Sequence, residues 1–107
     1  METSPHYGLI GSFQAIDGAG EQLAGILLQA AELMRSADGC QLYAVGQSPD
    51  QSDTIWVMEI WDSQEAHDQS LGLPGVRELI GQAMPLLAAP PKGGQALEIL
   101  GGVGVKE

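Results

Sequence analysis

The sequence predicts an α+β domain: one four-stranded antiparallel sheet with its helices on one face, in the order β-α-β-β-α-β. Three observations predict it. Apolar residues recur with period 2 in some segments and with period 3.6 in others, and the two kinds of segment alternate along the chain. The two central strand candidates are joined by a short polar stretch, which makes them an antiparallel hairpin. The length of 107 residues suits one domain, since about 100–150 is typical, and no linker or internal repeat divides it. Residues 1–107 are therefore read as a single domain with its core between about 7 and 100.

Tyr7–Ala15 opens as a strand, with Leu9, Phe13 and Ala15 on one parity and Ile10, Ser12 and Gln14 on the other. Asp17-Gly18 supplies a turn, and Asp17 lies close enough to cap the helix that follows. Gly20–Ser36 carries Leu23, Ile26, Leu27, Ala30, Leu33 and Met34 as one apolar stripe. Asp38-Gly39 ends it, glycine being suited to the left-handed conformation that closes helices.

Cys40–Gln47 and Thr54–Trp61 are the second and third strands, and Ser48–Asp53 between them is polar or turn-forming throughout. Asp62-Ser63 offers an N-cap to a helix containing Ala66 and His67. Pro74 breaks the helical run near Leu71, and a second piece carries Val76, Leu79, Ile80, Ala83 and Met84 until Pro85 ends or kinks it. The turn-rich stretch from Ala89 to Gly94 leads to a last strand, Gln95–Leu100. The order is the split βαβ, ferredoxin-like arrangement. Such a sheet leaves one face uncovered, and its third strand is apolar on both parities, with Trp56, Met58 and Ile60 on one side and Ile55, Val57 and Trp61 on the other. The uncovered face is therefore an apolar patch that a second copy of the chain would cover.

Charge narrows the function classes. Fourteen acidic residues against four basic ones give a net charge of −10, and Arg35, Arg77, Lys92 and Lys106 are scattered. A nucleic-acid binder needs a concentrated basic patch, and anionic membranes repel such a chain. Neither partner is expected. Cys40 is the only cysteine, so no intrachain disulfide and no multi-cysteine metal site forms. No secretory signal or spanning run is visible, and a soluble cytoplasmic protein is the expectation.

Three strings carry a family resemblance. Asp38-Gly39-Cys40-Gln41-Leu42-Tyr43 resembles the "pGC..Y" entrance to the second strand of the antibiotic biosynthesis monooxygenase (ABM) family. The run from Trp56 to Ala66 is similar to that family's "E.W.s.eA" strand-to-helix junction, and Ala83-Met84-Pro85-Leu86-Leu87 to the segment closing its last helix. The resemblance spans roughly Tyr7 to Leu100. It implies a dimeric α+β barrel with a cavity between sheet and helices. It also implies oxidation of quinol- or anthrone-type aromatics by dioxygen, with no metal, flavin or other cofactor. Haem-degrading relatives use an Asn, Trp, His set, and this chain contains no asparagine. Anthrone oxygenases carry an asparagine where Val57 stands, Trp61 matches their tryptophan, and Ser70 occupies the place of a common histidine. His67 lies one helical turn before that place.

Candidate catalytic residues are His67, Glu59 and Trp61, and candidate pocket residues are Tyr43, Val57, Met84 and Ser12. Glu59 and Trp61 share a parity, so a carboxylate beside an indole in a half-buried cavity would have its charged form disfavoured. The competing reading pairs Glu59 with Arg35, Arg77 or a backbone amide as a purely structural group. His67 is the one histidine outside the N-terminal stretch, which is taken to be frayed, and a histidine suits the deprotonation that begins cofactor-free oxygenation. Its competing reading is an exposed helix residue. Ser12 could donate to a ligand carbonyl. The leading functional reading is a cofactor-independent monooxygenase acting on a small hydrophobic aromatic; the alternative is a non-catalytic dimeric ligand-binding or stress-related module of the same fold.

Overall fold

The computed structural model describes residues 5–91 and 93–105. Its elements are β1 (His6–Gln14), α1 (Gly20–Met34), β2 (Cys40–Ser48), β3 (Gln51–Trp61), α2 (Gln64–Ser70), α3 (Val76–Ala83), a short 3₁₀ turn at Met84–Leu86, and β4 (Gln95–Ile99). The strands form one antiparallel sheet in the order β2-β3-β1-β4. This is the α+β, ferredoxin-like arrangement predicted from the periodicities.

Register decides what each face carries. Tyr7 pairs with Trp61, Leu9 with Glu59, Gly11 with Val57 and Phe13 with Ile55. Across the other edge of β3, Tyr43 pairs with Glu59 and Val45 with Val57. These parities face the helices, and Ile55, Val57 and Trp61 are buried there. The opposite parity stays open: Trp56 is 40% and Met58 41% exposed, with Leu42 and Leu97 also exposed on the same side.

The core divides into two clusters. One joins Ala15, Ala19, Leu23 and Ile55, against which Phe13, Leu27, Ala83 and Leu87 pack. The other joins Met34, Trp61 and Val76, with Tyr7, Tyr43 and Ala66 against it.

Several local readings change. Asp17 does not cap α1, which starts after Ala19 without a cap from its own side chain. The carboxylate of Asp53 on β3 does that work, accepting the Gly18 amide at 3.1 Å and the Gly20 amide at 2.9 Å. Such close docking admits no side chain at position 20: a Cβ there would lie 2.0 Å from the Ser52 carbonyl oxygen. The polar stretch 48–53 is not a loop either. β2 runs to Ser48 and β3 begins at Gln51, leaving Pro49-Asp50 as the turn. Its polar side chains serve the exposed end of the hairpin, with Gln47 donating to the Ser52 carbonyl and Trp56 Nε1 to Ser48 Oγ. His6 is not frayed; it opens β1 opposite Ile99. Ser63 caps α2 as expected, its hydroxyl accepting the Ala66 amide at 3.1 Å. The break at Pro74 is real, and Gly75 starts α3 at φ 91°, a conformation suited to glycine.

Candidate functional site

Between the two core clusters lies a cavity of about 280 Å³, bounded by the sheet, α1, α2 and α3. Ligand pockets commonly measure roughly 300–1,000 Å³, so this one suits a small ring system. Its wall is segregated. Tyr43, Glu59, His67 and Ser70 stand at the Trp61 end, while Phe13, Leu27 and Leu87 stand at the other. Leu71, Ile80 and Met84 line it too and are about half exposed, which places the mouth between α2 and α3.

The polar end is built from the β3–α2 junction. Glu59 and Trp61 are two residues apart on one strand, so their side chains rise from the same face, and Trp61 Nε1 donates to Glu59 Oε1 at 3.0 Å. Ser63 then fixes the start of α2 and hence its phase, which turns His67 toward that pair. The His67 ring meets the Trp61 indole edge-on, with centroids 5.7 Å apart and planes at 83°, and lies 5.4 Å from the Tyr7 ring. Its Nε2 is 3.8 Å from Glu59 Oε1, and the two side chains are only 15% and 12% exposed. At that separation they do not hydrogen-bond directly.

The other ring nitrogen is engaged. His67 Nδ1 lies 2.9 Å from Asp68 Oδ1, and a carboxylate can only accept, so in the neutral ring Nδ1 carries the proton. That leaves Nε2 with its lone pair on the Glu59 side. Burial pushes the Glu59 carboxyl up from its usual 4.5, opposed by the Trp61 hydrogen bond and by the charge of His67. Burial, and then the Glu59 charge, push the Tyr43 phenol up as well, so it remains a neutral donor. The Ser70 hydroxyl is spent on the His67 carbonyl.

The predicted residues therefore separate. Glu59, Trp61 and His67 come together, and Tyr43 and Met84 line the cavity. The pairing of Glu59 with Arg35 does not occur: Arg35 bonds Glu32 on the surface of α1. Val57 is buried on the correct face without lining the cavity. Ser12 is a correction. It is exposed on the open sheet face opposite Trp56, because the register of β1 sends Phe13, not Ser12, toward the helices. Sequence reasoning missed Phe13, Leu27 and Leu87 as walls and Asp68 as the partner of the imidazole. The parity of Phe13 with Leu9 and the stripe of α1 contained the signal for the first two. Among the described residues no group of three His, Cys, Asp or Glu side chains could hold a metal ion. No helix there is long and apolar enough to cross a membrane.

Comparison with known proteins supplies the family. The model for "Antibiotic biosynthesis monooxygenase" matches residues 6–82, more than half of the chain. The chain belongs to the ABM family. Among solved structures, a candidate antibiotic biosynthesis monooxygenase from Chloroflexus aurantiacus J-10-fl is 40% identical, with a TM-score of 0.81 over 91% of this chain and 95% of that one. Rv0793 from Mycobacterium tuberculosis is 24% identical, with a TM-score of 0.79 over 92% and 98%. A further candidate monooxygenase from Nitrosomonas europaea reaches a TM-score of 0.84 over 94% and 95% at 14% identity. The last two show the shared fold alone. No curated protein matches.

Proposed function

We propose that this ABM-family protein is a cofactor-independent monooxygenase that oxidises a small hydrophobic quinol- or anthrone-like aromatic with dioxygen. The observation that carries the reading is the imidazole of His67 at the polar end of an otherwise apolar cavity, with Asp68 on one nitrogen and the other turned inward. Family membership and the similarity to the Chloroflexus aurantiacus protein support it.

Apolar walls hold the ring system, and its hydroxyl or activated carbon points at His67. Nε2 takes the proton, and the electron-rich anion then reduces dioxygen. One oxygen atom enters the product as a carbonyl, and the other leaves with the two displaced hydrogens as water. Asp68 stabilises the imidazolium formed in the first step, and Tyr43 donates a hydrogen bond to the developing oxyanion. Glu59, held by Trp61, offsets the imidazolium charge from the other side. The protein works as a homodimer through its open sheet face, since Trp56 and Met58 would otherwise meet water.

Oxygen consumption with a panel of reduced naphthoquinones and anthrones tests the reading. Uptake at one oxygen per substrate, with a monooxygenated product by mass spectrometry, is the expected result. Binding of these compounds with no oxygen uptake across the panel would instead establish the non-catalytic ligand-binding alternative.

A further inference from the structure

The charge of the cavity wall limits what can occupy it. On α1 and α3 every side chain that lines the cavity is apolar, and the ionisable groups that do so are Tyr43 on β2, Glu59 on β3 and His67 on α2. Among the described residues no lysine or arginine lines it. Arg35 is committed to Glu32 on the outer face of α1. Among the described residues the wall therefore holds one carboxylate, one imidazole and one phenol, gathered at one end.

We propose that the cavity selects uncharged aromatic ligands, and that Glu59 is the specificity-determining residue that turns away anionic ones. The proposal rests on the reading of this cavity as the substrate site. A ligand's polar end finds donors and acceptors only at the Tyr43–Glu59–His67 end, because Phe13, Leu27 and Leu87 close the other. A carboxylate placed there to meet His67 also comes within reach of Glu59, since only 3.8 Å separates those two side chains. There the Glu59 carboxylate repels it. A hydroxyl has no such conflict: it donates to one group and accepts from another.

The test measures binding by calorimetry at pH 7.5, with 1-naphthol and 1-naphthoate as probes of equal ring size. Two unit charges about 6 Å apart, at an effective dielectric of about 20, repel enough to weaken binding roughly 100-fold. The naphthol is therefore expected to bind about 100-fold more tightly than the naphthoate. Glu59→Gln keeps the shape and an acceptor for Trp61 while removing the charge. In that variant the contrast between the two probes should shrink by at least about tenfold, through tighter binding of naphthoate. The wild-type contrast stands as a test even where the variant fails to fold.

Equal binding of the two probes to the wild type, failure of both to bind, or an undiminished contrast in a folded Glu59→Gln variant would each overturn the proposal. Oxygen uptake, read in parallel, separates it from the proposed function. Selectivity without turnover removes only the oxygenase reading; turnover without selectivity removes only this one.

Discussion

Replacing His67 with alanine separates its chemical role from its packing. From helix position alone the change looks harmless, because alanine is the better helix former by up to about 0.7 kcal/mol. The structure gives a different sum. The His67 ring is mostly buried and stands edge-on to Trp61, and such an aromatic pair contributes about 0.5–1.5 kcal/mol beyond its burial. The ring also contacts Tyr7, and its removal leaves a void that a short, capped helix cannot close. A net loss of about 1 kcal/mol follows, which lowers the melting temperature of a domain this size by about 4–8 °C. The rate effect is larger: a positioned general base contributes 10²–10⁴-fold by general experience, so oxygen uptake should fall by about that factor. His67→Gln restores part of the packing without a base, so it should recover melting temperature and not rate. A His67→Ala protein that keeps its rate of oxygen uptake would refute the argument, and would transfer the base to Glu59 or to a substrate that ionises unaided.

Three further outcomes are expected. Burial raises the folded-state pKa of Glu59 above its usual 4.5, so the folded protein binds this proton more tightly and Glu59 favours folding most at low pH. That contribution is lost as pH rises from about 4.5 through the raised value; Glu59→Gln should therefore gain stability relative to wild type across that window, measured by urea denaturation at several pH values. A constant difference would contradict the sign. Met58→Lys on the open sheet face should shift the protein from dimer to monomer in sedimentation while leaving its far-ultraviolet circular dichroism intact. A wild type already monomeric at micromolar concentration would remove the interface. Gly20→Ala should destabilise despite better helix propensity, because the new Cβ meets backbone at 2.0 Å; about 1–3 kcal/mol is the usual cost of such overpacking, and an unchanged melting curve would show that α1 moves away from Ser52 without penalty.

What could be read from the chain follows from how local each determinant is. Glu59 and Trp61 lie two apart on one strand, so their shared face needs no tertiary information. Ser63 fixes the phase of α2 within one turn of His67. Ser12 went to the wrong face because β1 is apolar on both parities, with Leu9 and Phe13 on one and Ile10 on the other. Only its register against β3 decides between them. The cap of α1 was invisible for a similar reason: Asp53 is 33 residues from the amide of Gly20 that it accepts. Asp17, the nearer choice in sequence, is the wrong one. Polar residues at the end of the hairpin look like a loop because an exposed ladder needs no apolar side chains.

The serine at position 70, where the family resemblance implies a histidine, makes sense in the same geometric terms. Residues 67 and 70 are one turn apart on α2, and both line the cavity. Moving the imidazole from the second site to the first carries it toward the strand junction. There it gains the Trp61 edge, the Glu59 carboxylate and the adjacent Asp68 as neighbours. Position 70 is then free for a small residue, and serine suits it because its hydroxyl turns back to the His67 carbonyl and leaves no buried polar group unsatisfied. A second histidine at 70 would compete with the ligand for the volume beside Leu71 and Val76. The two positions are thus alternatives rather than partners. A serine at 70 does not by itself argue against a base at this end of the cavity.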